Sequence, residues 1–211
     1  MFKSDTKFAN FMNALCDSLY IGILWLVCSL PIFTIFASST AAYYTMSKCV
    51  RHKTDYVTKS FFHSFKTNFK ECVIINILYL FIGFLLTIDM RILWVNESKL
   101  ASINFVILLL VIFLAASAAV FIPVLLSRFD KGILDIIKFA LAVSFRYLYI
   151  TIPAIVLIIA AVIGVMLTLW GIFFIPGIVW WILSLPFEWI LKKLMPIPEE
   201  GSIESEAWYY Q

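Results

Sequence analysis

No charged residue stands between Arg146 and Glu188. Drawn as one continuous helix, residues 147–187 would reach about 60 Å, roughly twice the hydrocarbon thickness of a bilayer. An apolar stretch of that length has to fold back on itself. Gly171, Pro176 and Gly177 are the clustered breakers within it, so a very tight hairpin is expected there, with Trp170 near the interface.

The rest of the chain agrees with a membrane origin for this pattern. Hydrophobic residues make up 63% and charged residues 14%, against roughly 45–50% and about 25% in soluble domains. A separate soluble enzyme domain does not fit in 211 residues of this kind. Apolar runs place five spans at about Phe11–Phe36, Cys72–Ile88, Ile103–Leu126, Tyr147–Leu169 and Phe173–Leu191. The expected fold is therefore all-α, a polytopic helix bundle over residues 1–195 followed by a short acidic cytoplasmic tail at 196–211. The first run exceeds the apolar core of a secretory signal, so it is read as an uncleaved span.

Lys and Arg set the orientation. Lys48, Arg51, Lys53, Lys59, Lys66 and Lys70 follow the first span, Arg128, Lys131, Lys138 and Arg146 follow the third, and Lys192 and Lys193 follow the fifth. Arg91 and Lys99 alone lie between the second and third. Five crossings with the N-terminus outside and the C-terminus inside put most cations in the cytoplasm, as the positive-inside rule requires. Trp94 and Trp170 then mark the outer interface and Trp189 the inner one.

Two cytoplasmic segments read as amphipathic helices. Over Lys59–Glu71, Phe61, Phe62, Phe65 and Phe69 share one arc, while Lys59, His63, Lys66 and Lys70 form a stripe beside it. Such a helix can lie on anionic lipid or dock a cytoplasmic partner. The second runs from Lys131 toward Arg146 with Asp130 as its cap, and its narrow polar stripe of Lys131, Asp135, Lys138, Ala142 and Arg146 predicts a helix half buried on the bundle. Ahead of both, Pro31 kinks or ends the first span, and Ser39–Val50 is open to forming a separate short helix. Ser29 and Thr34 flank Pro31 and can satisfy backbone groups it frees.

The search for chemistry yields no catalytic, cofactor or metal site. His52 and His63 are the only histidines, and Cys16, Cys28, Cys49 and Cys72 lack zinc-like spacing. No glycine loop is arranged to hold phosphate. Glu188 stands four residues before Lys192, the favourable orientation for an ion pair at the interface. In the third span Ala115, Ala118 and Ala119 belong to a small-residue patch that allows close helix approach, either within the chain or to another membrane subunit.

Trp25-Leu26, Ser29-Leu30-Pro31 with Thr34, Ala41-Ala42-Tyr43-Tyr44, the Phe61, Phe65-Lys66, Phe69 pattern and Arg128-Phe129-Asp130 together resemble the bacterial YesL family. The resemblance extends over nearly the whole chain. It implies a multi-pass protein of the bacterial cell membrane, a non-catalytic accessory subunit or regulator packing beside the permease subunits of a carbohydrate ABC importer. The competing expectation is a small transporter or channel acting alone as an oligomer. Membrane lipid is the other expected partner; nucleic acid and a bound small molecule are not expected for this chain alone.

Overall fold

The computed structural model describes residues 7–52, 55–95, 99–168 and 170–195, which are helical apart from short turns and loops, with no strand among them. Lys3, Lys53 and the tail at 196–211 lie outside the described residues, as does the side chain of Trp94. The order is α1 (Lys7–Ser29), a 3-10 turn (Ile32–Thr34), α2 (Ile35–Thr45) running into a π-helical turn (Met46–Arg51), α3 (Val57–Thr67), α4 (Phe69–Val95), α5 (Lys99–Leu126), α6 (Ile133–Arg146), α7 (Leu148–Leu167) and α8 (Gly171–Leu194). Five of these, α1, α4, α5, α7 and α8, are long and apolar enough to cross a membrane. Their outward faces carry many of the exposed large hydrophobic side chains, as a surface meeting lipid does.

The first expected span ends earlier than its apolar run. Pro31 cannot donate to a helical ladder, and the chain reverses there instead of merely kinking. The Thr34 hydroxyl donates to the carbonyls of Cys28 and Pro31, both at 2.6 Å, and Asn76 Nδ2 donates to the Ile32 carbonyl at 2.8 Å. The Ser29 hydroxyl makes no hydrogen bond. Thr34 and a residue distant in sequence thus hold the turn that Ser29 was expected to share.

After the reversal α2 runs antiparallel beside α1. Trp25 Nε1 donates to Ser39 Oγ at 3.0 Å near the turn, and Ser18 Oγ reaches Met46 Sδ at 3.5 Å farther back. Nearly every residue of α2 is buried, because it is rich in Ala, Ser and Thr and lets α1, α3, α4 and α5 approach closely. Two of its hydroxyls are satisfied locally, Thr40 donating to the Phe36 carbonyl and Thr45 to that of Ala41, while Ser38 Oγ is buried without a hydrogen bond. The open question of Ser39–Val50 resolves into the C-terminal part of this central helix and its π-helical turn.

The second fold-back lies slightly before its expected place. The chain turns between the end of α7 at Leu167 and the start of α8 at Gly171, with Trp170 exposed before α8, while Pro176 and Gly177 sit inside α8. Gly177 serves packing instead of turning. A Cβ added at Gly22 would come within 2.6 Å of the Gly177 nitrogen, and one added at Gly177 would collide with the Ser18 carbonyl. These two glycines are what let α1 and α8 touch backbone to backbone.

Three smaller expectations change. A helix over Lys59–Glu71 is interrupted at Asn68, whose amide caps α3 by donating to the Ser64 carbonyl at 3.0 Å, so Phe69 and Lys70 open α4. The second cytoplasmic helix, α6, starts at Ile133 with Gly132 at its N-cap, not at a cap formed by Asp130. It is otherwise half buried as expected: Ile136, Ala140, Val143 and Ser144 face the bundle while Lys131, Asp135, Lys138, Ala142 and Arg146 are exposed. Finally, Ala118 is buried in the chain's own core, Ala119 packs against that core, and the Ala115 carbonyl accepts from Tyr79 Oη at 3.2 Å. The small-residue patch therefore packs in part against helices of the same chain, with Ala118 buried and Ala115 and Ala119 half-buried.

Candidate functional site

Tyr43, Ser47 and Arg51 recur at four-residue intervals and fall along one side of α2 and its π-helical turn. On α8, Ser184, Phe187, Glu188 and Leu191 make one buried face. α5 ends at Leu126 and delivers Arg128 from the loop that follows. The three segments meet around the Glu188 carboxylate.

Oε2 of Glu188 accepts from Tyr43 Oη and Ser47 Oγ, both at 2.7 Å. Arg128 Nη2 donates to Oε1 at 2.7 Å, to Oε2 at 3.1 Å and to Ser47 Oγ at 3.0 Å. Ser47 therefore donates to the carboxylate while accepting from the guanidinium. The Arg128 and Glu188 side chains retain only 1% and 9% of their exposure, so this is a buried ion pair with added hydrogen bonds on the carboxylate. Such bonds are what make buried charge tolerable, since attraction alone rarely offsets desolvation. Phe187 packs beside the site, its ring centre 5.3 Å from that of Phe121 in a tilted arrangement and 6.2 Å from that of Tyr43 edge to face.

A second guanidinium extends the cluster. Arg51 donates through Nε and Nη2 to Ser184 Oγ at 2.8 and 2.6 Å, and through Nη2 to the Trp181 carbonyl at 2.9 Å. His52 Nε2 lies 3.9 Å from Glu188 Oε1. Burial holds the His52 imidazole below its usual pKa, outweighing the pull of the carboxylate. Beside it, Lys48 Nζ pairs with Asp55 Oδ2 at 3.1 Å, while Asp55 also accepts from the Tyr56 amide at 2.8 Å and Ser60 Oγ at 3.2 Å. This fastens the π-helical turn to the start of α3.

Glu188 thus has a different partner from the one expected along its own helix. Lys192 is exposed, whereas the carboxylate points inward to donors from α2, the π-helical turn and the α5–α6 loop. The i,i+4 spacing carries no information about those distant donors. What the sequence does contain is the Tyr43, Ser47, Arg51 spacing and the Arg128-Phe129-Asp130 motif, which read together point to one face of one helix and one loop.

The α3 residues separate into two sets. Phe61 is fully buried and Phe65 partly so, with their rings stacked 6.3 Å apart. Phe62, Lys59, His63 and Lys66 are exposed and, with Tyr56 and Thr58, line a shallow groove. Phe69 and Lys70, on α4, are exposed as well. Among the described residues, no three His, Cys, Asp or Glu side chains gather as metal ligands.

Residues 19–90 match a family described as "Protein of unknown function, DUF624". The match covers about a third of the chain, from the middle of α1 to near the end of α4. No curated protein and no solved structure matches.

Proposed function

We propose that this chain is a non-catalytic accessory membrane subunit or regulator of a bacterial carbohydrate ABC importer, seated in the cell membrane beside the permease subunits. The observation carrying this reading is that the DUF624 match spans most of the residues on which the YesL resemblance rests, from Trp25 to Phe69. The site geometry is in keeping with it. Glu188 is saturated by donors from its own chain, which suits a fastener inside a scaffold better than a group that exchanges ligand. The exposed basic and aromatic side of α3 leaves a surface for lipid or for a cytoplasmic component of the importer.

Tagged full-length protein, expressed at its natural level and purified in mild detergent, should bring down importer permeases identifiable by mass spectrometry. Recovery of the chain alone or only with itself contradicts the subunit reading.

One observation favours the alternative of a small oligomeric transporter: charged groups within membrane helices are a frequent mark of transport pathways, and Glu188 is such a group. Liposomes containing only this protein should then show solute flux that Glu188→Gln abolishes. The accessory-subunit reading expects no flux from either form.

A further inference from the structure

We propose that α1 and the α2–π segment form one membrane hairpin that both enters and leaves at the cytoplasmic face, placing the start of α1 inside with the C-terminus. The sequence expectation of an outer N-terminus treats α1 as a lone crossing followed directly by a cytoplasmic loop. Instead, α2 and the π-helical turn run back beside α1 for residues 35–51, about 25 Å of helix. The contacts Trp25 to Ser39 and Ser18 to Met46 fix this antiparallel register.

The far end of the return is anchored to the cytoplasmic side. Ser47 is bonded to Glu188 and Arg128, and Arg51 to Ser184 and the Trp181 carbonyl. Arg128 opens the basic loop after α5, and Glu188 lies one turn before Lys192 and Lys193. Those two basic segments are cytoplasmic by the positive-inside rule. Ser18 lies beside Met46, and α1 extends another eleven residues toward its start in the direction that the π-helical turn takes. Both ends of the hairpin thus belong to one side.

The tip is built for lipid. Leu30 and Ile32 are 73% and 61% exposed, with Phe33 and Ile35 beside them. Four large apolar side chains at a turn would be costly in water, and acyl chains are the partner of matching chemistry. Non-helical backbone at membrane depth needs internal hydrogen-bond partners. Thr34 and Asn76 supply them. No charge occurs from Ser18 through Ser47, so both arms can lie in the membrane. The distribution of cations also improves: of the 16 Lys and Arg, only Arg91 and Lys99 then fall outside, because Lys3 and Lys7 join the cytoplasmic set.

Single cysteines at Lys3, Lys99 and Glu204, each introduced with Cys16, Cys28, Cys49 and Cys72 changed to Ser, separate the two topologies. With an impermeant maleimide on intact cells, Lys99→Cys should label, while Lys3→Cys and Glu204→Cys should label only after permeabilisation. Labelling of Lys3→Cys in intact cells overturns the proposal. A protease test on an N-terminal epitope tag, using the chain with its natural cysteines, covers failure of the cysteine-free background to fold. Cleavage confined to inside-out vesicles is the expected result, and cleavage in spheroplasts overturns the proposal.

Discussion

Two uncharged runs shape this molecule, residues 18–47 and residues 147–187, and each contains a chain reversal. In the second, both arms, α7 and α8, are apolar and of membrane length. In the first, α1 is such an arm, but α2 is short, rich in Ala, Ser and Thr, and almost wholly enclosed by protein. The difference teaches what an uncharged run can and cannot reveal. Length beyond the bilayer thickness forces the fold-back in the second, whereas the first is hardly longer than the single helix α5 and reverses at Pro31. Side-chain size then distinguishes an arm that faces lipid from one that serves as the packing centre for its neighbours. The two hairpins are joined by the Gly22–Gly177 crossing and the Glu188 cluster.

The strongest way to break that junction is to remove its central charge. Glu188→Ala leaves the Arg128 guanidinium buried without its carboxylate and should destabilise the fold by about 3–5 kcal/mol. Reversible unfolding in mixed micelles would read this, and a loss under about 1 kcal/mol would place Glu188 among exposed pairs. Next in size is the crossing itself. Gly177→Ala forces a Cβ into the Ser18 backbone and should cost up to about 3 kcal/mol by the same assay. Gly83→Ala is its control, since nothing lies within 4 Å of that added carbon and the helix should be unharmed or slightly stabilised.

The turn of the first hairpin gives a smaller effect. Asn76→Leu removes the donor to the Ile32 carbonyl and should cost about 1–2 kcal/mol, without altering contacts between α7 and α8. Cross-linking across α1 and α2 should rise in flexibility while a pair across α7 and α8 stays unchanged. Equal loosening of both hairpins would show that Asn76 acts on the whole bundle.

The smallest effect is on pH dependence. The Tyr56 amide and Lys48 hold the Asp55 carboxyl at about 2, below its unfolded value of about 3.9. A depressed carboxyl contributes stability that is present above the unfolded value and fades as pH falls toward the folded one. The difference in thermal midpoint between the natural chain and Asp55→Asn should therefore be constant near pH 6 and shrink between about pH 4 and pH 2. A difference that does not change across this window would exclude the Asp55 charge as its source.

Much of this architecture could be read from the sequence, since hydrocarbon thickness and charge placement govern α4, α5, α7 and α8 directly. Residues 18–47 would reach about 45 Å as a helix, close to the length of α5, so the sign of the first fold-back is Pro31 near the middle and not length alone. Taking α1 as a single crossing concealed it, because Ala, Ser and Thr lower the apolarity of α2 below that of a span. The Glu188 site was less legible for a different reason. Its donors come from positions 43, 47 and 128, and pairing over such separations depends on tertiary approach that local spacing does not encode. Similarly, Gly22 and Gly177 look unrelated until α1 and α8 are laid together.

The central claim is that Arg128 and Glu188 act as one unit fastening the first hairpin to the second. A double-mutant cycle with Arg128→Met and Glu188→Met, measured by reversible unfolding in micelles, tests it most directly. Each single variant strands one buried charge, whereas the double variant strands neither, so the double should be less destabilised than the sum of the singles by more than about 1.5 kcal/mol. Additive losses would contradict the account.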